Sequence, residues 1–442
     1  MQPPRVVAVS DAATPPFVSD HVPSPTGGYC ATAVLSVFCL HNAWTCWVFL
    51  NFTNISPAAA LLGVTDAQIS SITAAGWYGT LAAIPVVTLA RASWHRPLLL
   101  LAGLANSIAP VVRYLAASRQ LFPVVVATNF INGAVFGVFS AWPTMFAVMQ
   151  WPAERHTVIT ALGALSNYVG GALAAPAMPL IANTVDDLLY TFKVQAIIAC
   201  PMALILFVWL RFLPPFRSPT AAGATLSTQL RRSCCEPRAA ALIFTLGLAV
   251  GLSLLLQGAV QEMLSGVGFT DVEAGNANCV YQSASAVVGV VLGSQLTSTT
   301  ALVPTLHFLH GLSAASYLAL SAVSAILLKR GRDDFSAAPA LMLASMTMLG
   351  SSLMGMLPVL LQFAISQVNA LENVVSGSIY MVAMVAAATL TTPVTLLNGG
   401  MDFVLVGVLL TAELIGYLVV MVVIRPACRG STGAARSYRR FL

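Results

Sequence analysis

The chain has 442 residues, of which 58% are hydrophobic and only 8% charged, with a mean hydropathy of +0.84. Soluble domains carry about 25% charged residues, so this composition excludes a water-soluble enzyme and requires a bilayer. The net charge of +5 then bears on orientation against the membrane, and nucleic acid is not an expected partner.

The chain opens with a polar, Pro-rich tail over 1–28, too poor in apolar residues to form a core and without the continuous apolar stretch of a signal peptide. Six apolar stretches follow near 30–51, 69–90, 97–116, 121–149, 156–181 and 191–213. Each is about 20 residues or longer, the length that crosses a hydrocarbon layer of roughly 30 Å. A polar, basic linker over 214–238 precedes six more, near 239–263, 275–296, 302–328, 337–361, 368–392 and 403–424, and a basic tail closes the chain over 425–442. The expected fold class is all-α integral membrane: twelve transmembrane helices in two six-helix halves, 29–213 and 239–424.

Lys and Arg accumulate in cytoplasmic loops. With both termini inside, fourteen of the twenty basic residues fall on the cytoplasmic side; Lys329, Arg330 and Arg332 are the main exception. Two sequons, Asn51-Phe52-Thr53 and Asn54-Ile55-Ser56, fall on the side this count places outside and predict a glycoprotein.

One stretch occurs twice. Between Gly137 and Pro179 an apolar helix end leads to Pro143, a turn around Glu154, and a Gly/Ala-rich helix; from Gly350 the same order runs through Pro358 and Glu372 to Pro393. Matching units in the two halves of a membrane chain indicate parallel repeats with a site between them near the midplane.

Several short patches carry a family resemblance: Asn42-Ala43, Gly63-Val64-Thr65, Pro143, Trp151 with Glu154, Asn167 with Gly170, Gly355 with Pro358, and Glu372 followed by Ser376-Gly377. Together they resemble the feline leukaemia virus subgroup C receptor-related (FLVCR) transporters of the major facilitator superfamily. The resemblance runs through most of 35–424 and implies the major facilitator fold, facilitated transport, and haem, choline or ethanolamine as cargo. The chain also departs from the pattern. In the loop LARASWHRP only Arg96 survives of the facilitators' acidic and basic motif, and Tyr168 and Met384 stand where choline-binding members carry Gln. Their aromatic in span seven falls near Ser253 or Leu254.

The candidate substrate-binding residues are His41, Trp44, Trp47, Trp77, Asn167, Tyr168, Gln257, Tyr281, Tyr380 and Met384. Trp44 and Trp47 share a helix face, and polar groups so dense in a span serve more than lipid contact. His41 and His307 are candidate haem ligands, since a neutral imidazole binds iron; a hydrogen-bonded structural role is the alternative for His307 and His310. Glu154, Glu372 and Arg96 are read as structural or gating groups. A flat macrocycle stacking on Trp44, Trp47, Tyr168 and Met384 makes haem or a related porphyrin the first expected cargo, with choline or ethanolamine second and a non-transporting receptor third.

Ionisable groups inside spans are few, with Glu413 the one acid well within an apolar run and a neighbouring helix its expected partner. Uniport is therefore expected. The eight Cys show no ligand spacing, so neither a metal site nor a cofactor is expected. Cys234 and Cys235, beside Arg231 and Arg232, are candidates for palmitoylation. The expected partners are a small-molecule substrate and the lipid bilayer, in the plasma membrane rather than an organelle; no oligomeric state is implied. No catalytic constellation appears: HFLH at 307–310 lacks the Glu of a metalloprotease helix, so an enzyme is not expected.

Overall fold

A computed structural model describes residues 28–52, 57–90, 92–212, 235–296, 299–331, 335–368, 372–396 and 401–430. The described residues are helical, with no strand. In lipid every backbone N–H and C=O needs an internal partner, which a helix supplies.

Twelve long helical segments follow one another. The first half contains α1 (Gly28–Phe49), α2 (Asp66–Leu89), α3 (Ala92–Ala117), α4 (Phe122–Ala141, continued by Pro143–Gln150), α5 (His156–Ile181) and α6 (Val185–Phe212). The second contains α7 (Pro237–Gly266), α8 (Asp271–Gln295), α9 (Thr299–Arg330), α10 (Ala338–Leu349, a π turn over Gly350–Met354, then Leu357–Gln367), α11 (Glu372–Leu396) and α12 (Met401–Gly430). Ten of these are long and apolar enough to cross a membrane, and α12 adds an apolar stretch over Phe403–Leu418. The remaining one, α8, is the most polar, because Asn278, Gln282 and Ser285 face the protein interior instead of lipid.

The internal repeat is visible in how helices begin and break. Both α4 and α10 are interrupted at a proline, Pro143 and Pro358, whose missing N–H cannot continue the helical ladder. A second repeat sits before α2 and α8: Gly63-Val64-Thr65-Asp66 and Gly268-Phe269-Thr270-Asp271. Each glycine has a positive φ, +64° and +95°, which lets the chain turn sharply into the helix. Each threonine N–H then donates to the side chain three residues on, Gln68 at 2.9 Å and Glu273 at 3.0 Å.

The halves meet along antiparallel helix pairs. Gly293 of α8 packs on Thr157 and Ala161 near one end of α5, Gly289 on Leu165, Gln282 against Gly171, and Gly275 on Ala175 at the other end. Small residues allow this approach. On the side where α4 ends, α11 is held by α2 through Gly377 against Thr88 and by α4 through a 3.1 Å hydroxyl contact between Thr144 and Ser376. One apolar core crosses the junction, including Cys46, Trp77 and Tyr168 from the first half and Tyr281, Tyr380 and Met384 from the second.

Asn51 corrects one expectation. Its amide is fully buried and exchanges hydrogen bonds of 2.7 and 3.1 Å with Gln195 of α6, so it does not offer itself to glycosylation. Asn54, Arg91, Cys234 and most of the linker and tails lie outside the described residues; Cys235 is exposed.

Candidate functional site

At the centre of the junction three amides form a closed chain. Gln257 of α7 donates to Gln282 Oε1 of α8 at 2.8 Å, Gln282 donates to Asn278 Oδ1 at 2.9 Å, and Asn278 returns a bond to the Gln257 carbonyl at 3.1 Å. Gln257 also reaches Cys46 Sγ of α1 at 3.4 Å, which ties the chain to the first half. The helical period explains the set: Asn278 and Gln282 are four residues apart on one face of α8, and Ser285 continues it.

Aromatic rings flank this chain. The Tyr281 hydroxyl lies 2.7 Å from Ser253 Oγ, and Tyr168 of α5 sits among Cys46, Ser253, Tyr281 and Tyr380. Trp77 of α2 packs on Phe49 at 4.7 Å and lies beside Gly258 of α7. Cys46, Tyr168, Ser253, Gln257, Tyr281, Gln282 and Met384 are each at most 1% exposed. No Asp, Glu, Lys or Arg belongs to this group. The Tyr168 hydroxyl, the Trp77 indole N–H and the Asn167 Oδ1 are buried without a well-formed hydrogen bond. A water or a bound polar molecule can supply partners to buried polar atoms of this kind.

Of the residues expected from sequence, the junction thus gathers Trp77, Tyr168, Gln257, Tyr281, Tyr380 and Met384. Asn167 is buried one residue before Tyr168. His41 does not join them. Its carbonyl accepts from Asn106 of α3 and its ring stacks on Phe139 of α4 at 6.2 Å, so it points into the first half's own core. Trp44 and Trp47 are half-buried on α1 outside the core that joins the halves. His307 lies edge-on to Tyr417 at 5.4 Å between α9 and α12. His41 and His307 therefore occupy separate halves and do not converge on one ligand. Among the described residues no group of three His, Cys, Asp or Glu is spaced for a metal ion.

Glu154 is exposed in the turn before α5, where Arg155 lies over the Trp151 ring and the His156 imidazole contacts the Trp151 carbonyl at 2.8 Å. Glu372 opens α11, and its side chain lies outside the described residues. Arg96 is exposed near the start of α3. Between these turns Thr144, Thr157 and Thr160 face Pro358, Leu361 and Gln362 across a small cavity lined by both halves.

Two features escaped the reading of residue types. Arg113, inside α3 and fully buried, donates to the Val48 carbonyl at 2.6 Å and to Asn129 Oδ1 at 2.9 Å, and its guanidinium lies over Phe52. The signal was an arginine within an apolar run, which marks a role by its expense alone. The other is Asn278: Gln282 is legible in the sequence beside Tyr281 as a polar residue of span eight facing the cavity, but Asn278 one turn before it is not. Glu413, by contrast, has the neighbouring-helix partner expected for it, His310 at 2.9 Å, which removes His310 from the iron ligands.

No protein-family profile matches this chain, and no curated protein matches it. Solved structures do. FucP in the outward conformation, described as a major facilitator superfamily transporter, aligns at a TM-score of 0.61 and 17% identity, over 87% of this chain and 98% of that one. A variant of the same E. coli fucose:proton symporter aligns at 0.57 and 15% identity, over 87% and 98% of the two chains. The proton:xylose symporter XylE, bound to a bromodeoxyglucose, aligns at 0.62 and 13% identity, over 88% and 95%. The chain is thus a multi-pass, all-helical protein with the major facilitator fold.

Proposed function

We propose that this protein is a membrane transporter that moves a small polar organic solute by alternating access, with the substrate held where Tyr168, Tyr281 and Tyr380 meet the Gln257–Gln282–Asn278 chain. The fold similarity to facilitator transporters and the two matched helix breaks support rocking of one half against the other about this point. An enzymatic reading gains no support from this group, in which the Cys46 thiol and the Ser253 hydroxyl have no His, Asp or Glu among them to act as a base.

The cargo we infer is an amino alcohol of the choline or ethanolamine class. The single observation that carries it is the set of three buried tyrosines and Trp77 beside an uncharged amide chain. Aromatic faces attract an ammonium group by cation–π interaction, and the amides supply donors and acceptors for a hydroxyl. Tyr281 of α8 brings a ring to Ser253, so an aromatic reaches the stretch around Ser253 and Leu254 where span seven has none. Haem is the weaker reading. It carries two carboxylates and an iron, whereas the junction presents neither a basic group nor an imidazole, and His41 and His307 face elsewhere.

Uptake of labelled choline into liposomes holding the purified protein tests this, with ethanolamine, fucose, xylose and haemin as competitors. Saturable choline uptake blocked by ethanolamine is expected. Uptake blocked only by the sugars would favour a polyol cargo. Absence of any uptake would favour a receptor on the same scaffold.

A further inference from the structure

The second half contains a buried acid–base pair that the candidate substrate site does not use. His310 of α9 and Glu413 of α12 lie 2.9 Å apart, at 2% and 3% exposure. Each is eleven or twelve residues from the start of its helix, which at 1.5 Å per residue places both roughly 17 Å into the layer, near its middle. The Tyr417 ring stacks on the imidazole at 3.8 Å and seals it.

The proton count follows from geometry. His310 Nδ1 lies 3.0 Å from the Leu306 carbonyl, which only accepts, so Nδ1 carries a hydrogen. Nε2 then faces Glu413 Oε1, and that contact is favourable only if a further proton lies between them, on either atom. With it the pair is neutral. Without it a nitrogen lone pair faces a carboxylate, and a net negative charge is left in an apolar layer. The other ionisable neighbours are His307 and Tyr417. From Ala338 to Gln367, α10 offers none; on α7 Arg238 and Glu262 lie toward the two ends, and Glu372 is at the start of α11.

We propose that His310 and Glu413 form a proton-binding site, one shared proton bridging Nε2 and Oε1, whose occupancy sets how tightly α12 packs on α9. Loss of that proton breaks the bridge, and contacts such as the Tyr317 hydroxyl on the Phe403 carbonyl at 2.7 Å are then left to hold the two helices. The change would reach the candidate site through α7. Gly416 of α12 faces Thr245 of α7, which lies two turns from Ser253.

The test is infrared difference spectroscopy of the full chain in lipid nanodiscs between neutral and alkaline pH, together with its thermal unfolding midpoint. It needs no substrate, so it stands or fails apart from the transport reading. The wild type is expected to show paired carboxyl and imidazole bands and to lose several degrees at alkaline pH. In Glu413→Gln the amide donates to Nε2 without any shared proton, so the bands and the alkaline loss both disappear. An identical alkaline loss and difference spectrum in Glu413→Gln would overturn the proposal. If that variant does not purify, His310→Gln gives the same decision: loss of the imidazole bands supports the site, and their retention overturns it.

Discussion

Gln257 and Gln282, on adjacent helices of the second half, are joined by a 2.8 Å amide hydrogen bond, and the same Gln257 nitrogen reaches Cys46 of the first half. One carboxamide therefore links the halves at the proposed substrate site. Replacement Gln282→Leu would leave Gln257 Nε2 and Asn278 Oδ1 without this partner, at about 1–3 kcal/mol for the buried groups. The expected outcome in liposome uptake is a KM raised about tenfold, with the protein still folded by its thermal midpoint. An unchanged KM would remove the amide chain from the site.

Gly171 packs directly against the Gln282 carboxamide, and Gly170 against the Ala43 backbone. A side chain at 171 has no space while α5 and α8 are zipped together. Gly171→Val is expected to reduce turnover by about tenfold or more while leaving the individual halves folded, since overpacking forces helices apart. Alkylation of Thr157→Cys checks the cause, because Thr157 lies beside Gly293 in the closed junction. Labelling should be slow in the parent background and markedly faster with Gly171→Val.

The Thr144–Ser376 contact is a latch between α4 and α11, both side chains being at most 5% exposed. A neutral hydrogen bond contributes about 1 kcal/mol, so Ser376→Ala should shift the balance between closed and open arrangements on that side about fivefold. Alkylation of Thr157→Cys, which lines the neighbouring cavity, should speed up by a similar factor. No change in labelling would mean that the latch is incidental.

Arg113 joins α3 to three other helices, because its guanidinium donates to the Val48 carbonyl of α1 and to Asn129 of α4, and Asn129 in turn donates to the Ile72 carbonyl of α2 at 2.7 Å. A lysine offers one ammonium point and lacks the planar fork that reaches both acceptors. Arg113→Lys is thus expected to lower the detergent-solubilised unfolding midpoint by several degrees, and Arg113→Met to lower it further by leaving both buried acceptors without this donor. Equal midpoints in all three proteins would show that the network is dispensable.

Much of the architecture was legible because the physics of spanning is simple. Length and hydropathy located the apolar stretches, and Pro143 and Pro358 marked the repeated breaks. Polar α8 was still found, since its Gly- and Val-containing stretch has the length of a span. What could not be read was which way each side chain points. His41 and Cys46 lie within two turns of the same helix, yet one faces the first half's core and the other faces Gln257. Five residues decide the difference, and only packing against α4 and α7 fixes it. The same holds for Trp44 and Trp47, whose shared face is real but lies off the joining core. The repeated Gly-x-Thr-Asp turn before α2 and α8 was present in the letters, but a four-residue match gained meaning only from the shared positive φ and capping.

The most direct measurement of the central claim is choline uptake by liposomes containing the wild type or Tyr168→Ala, with protein orientation and amount matched. Tyr168 is fully buried at the junction, beside Tyr281 and Tyr380. Transport between the halves at this site predicts saturable uptake by the wild type and a loss of at least tenfold in kcat/KM for Tyr168→Ala, with the fold retained. Wild-type uptake that Tyr168→Ala leaves unchanged would contradict it.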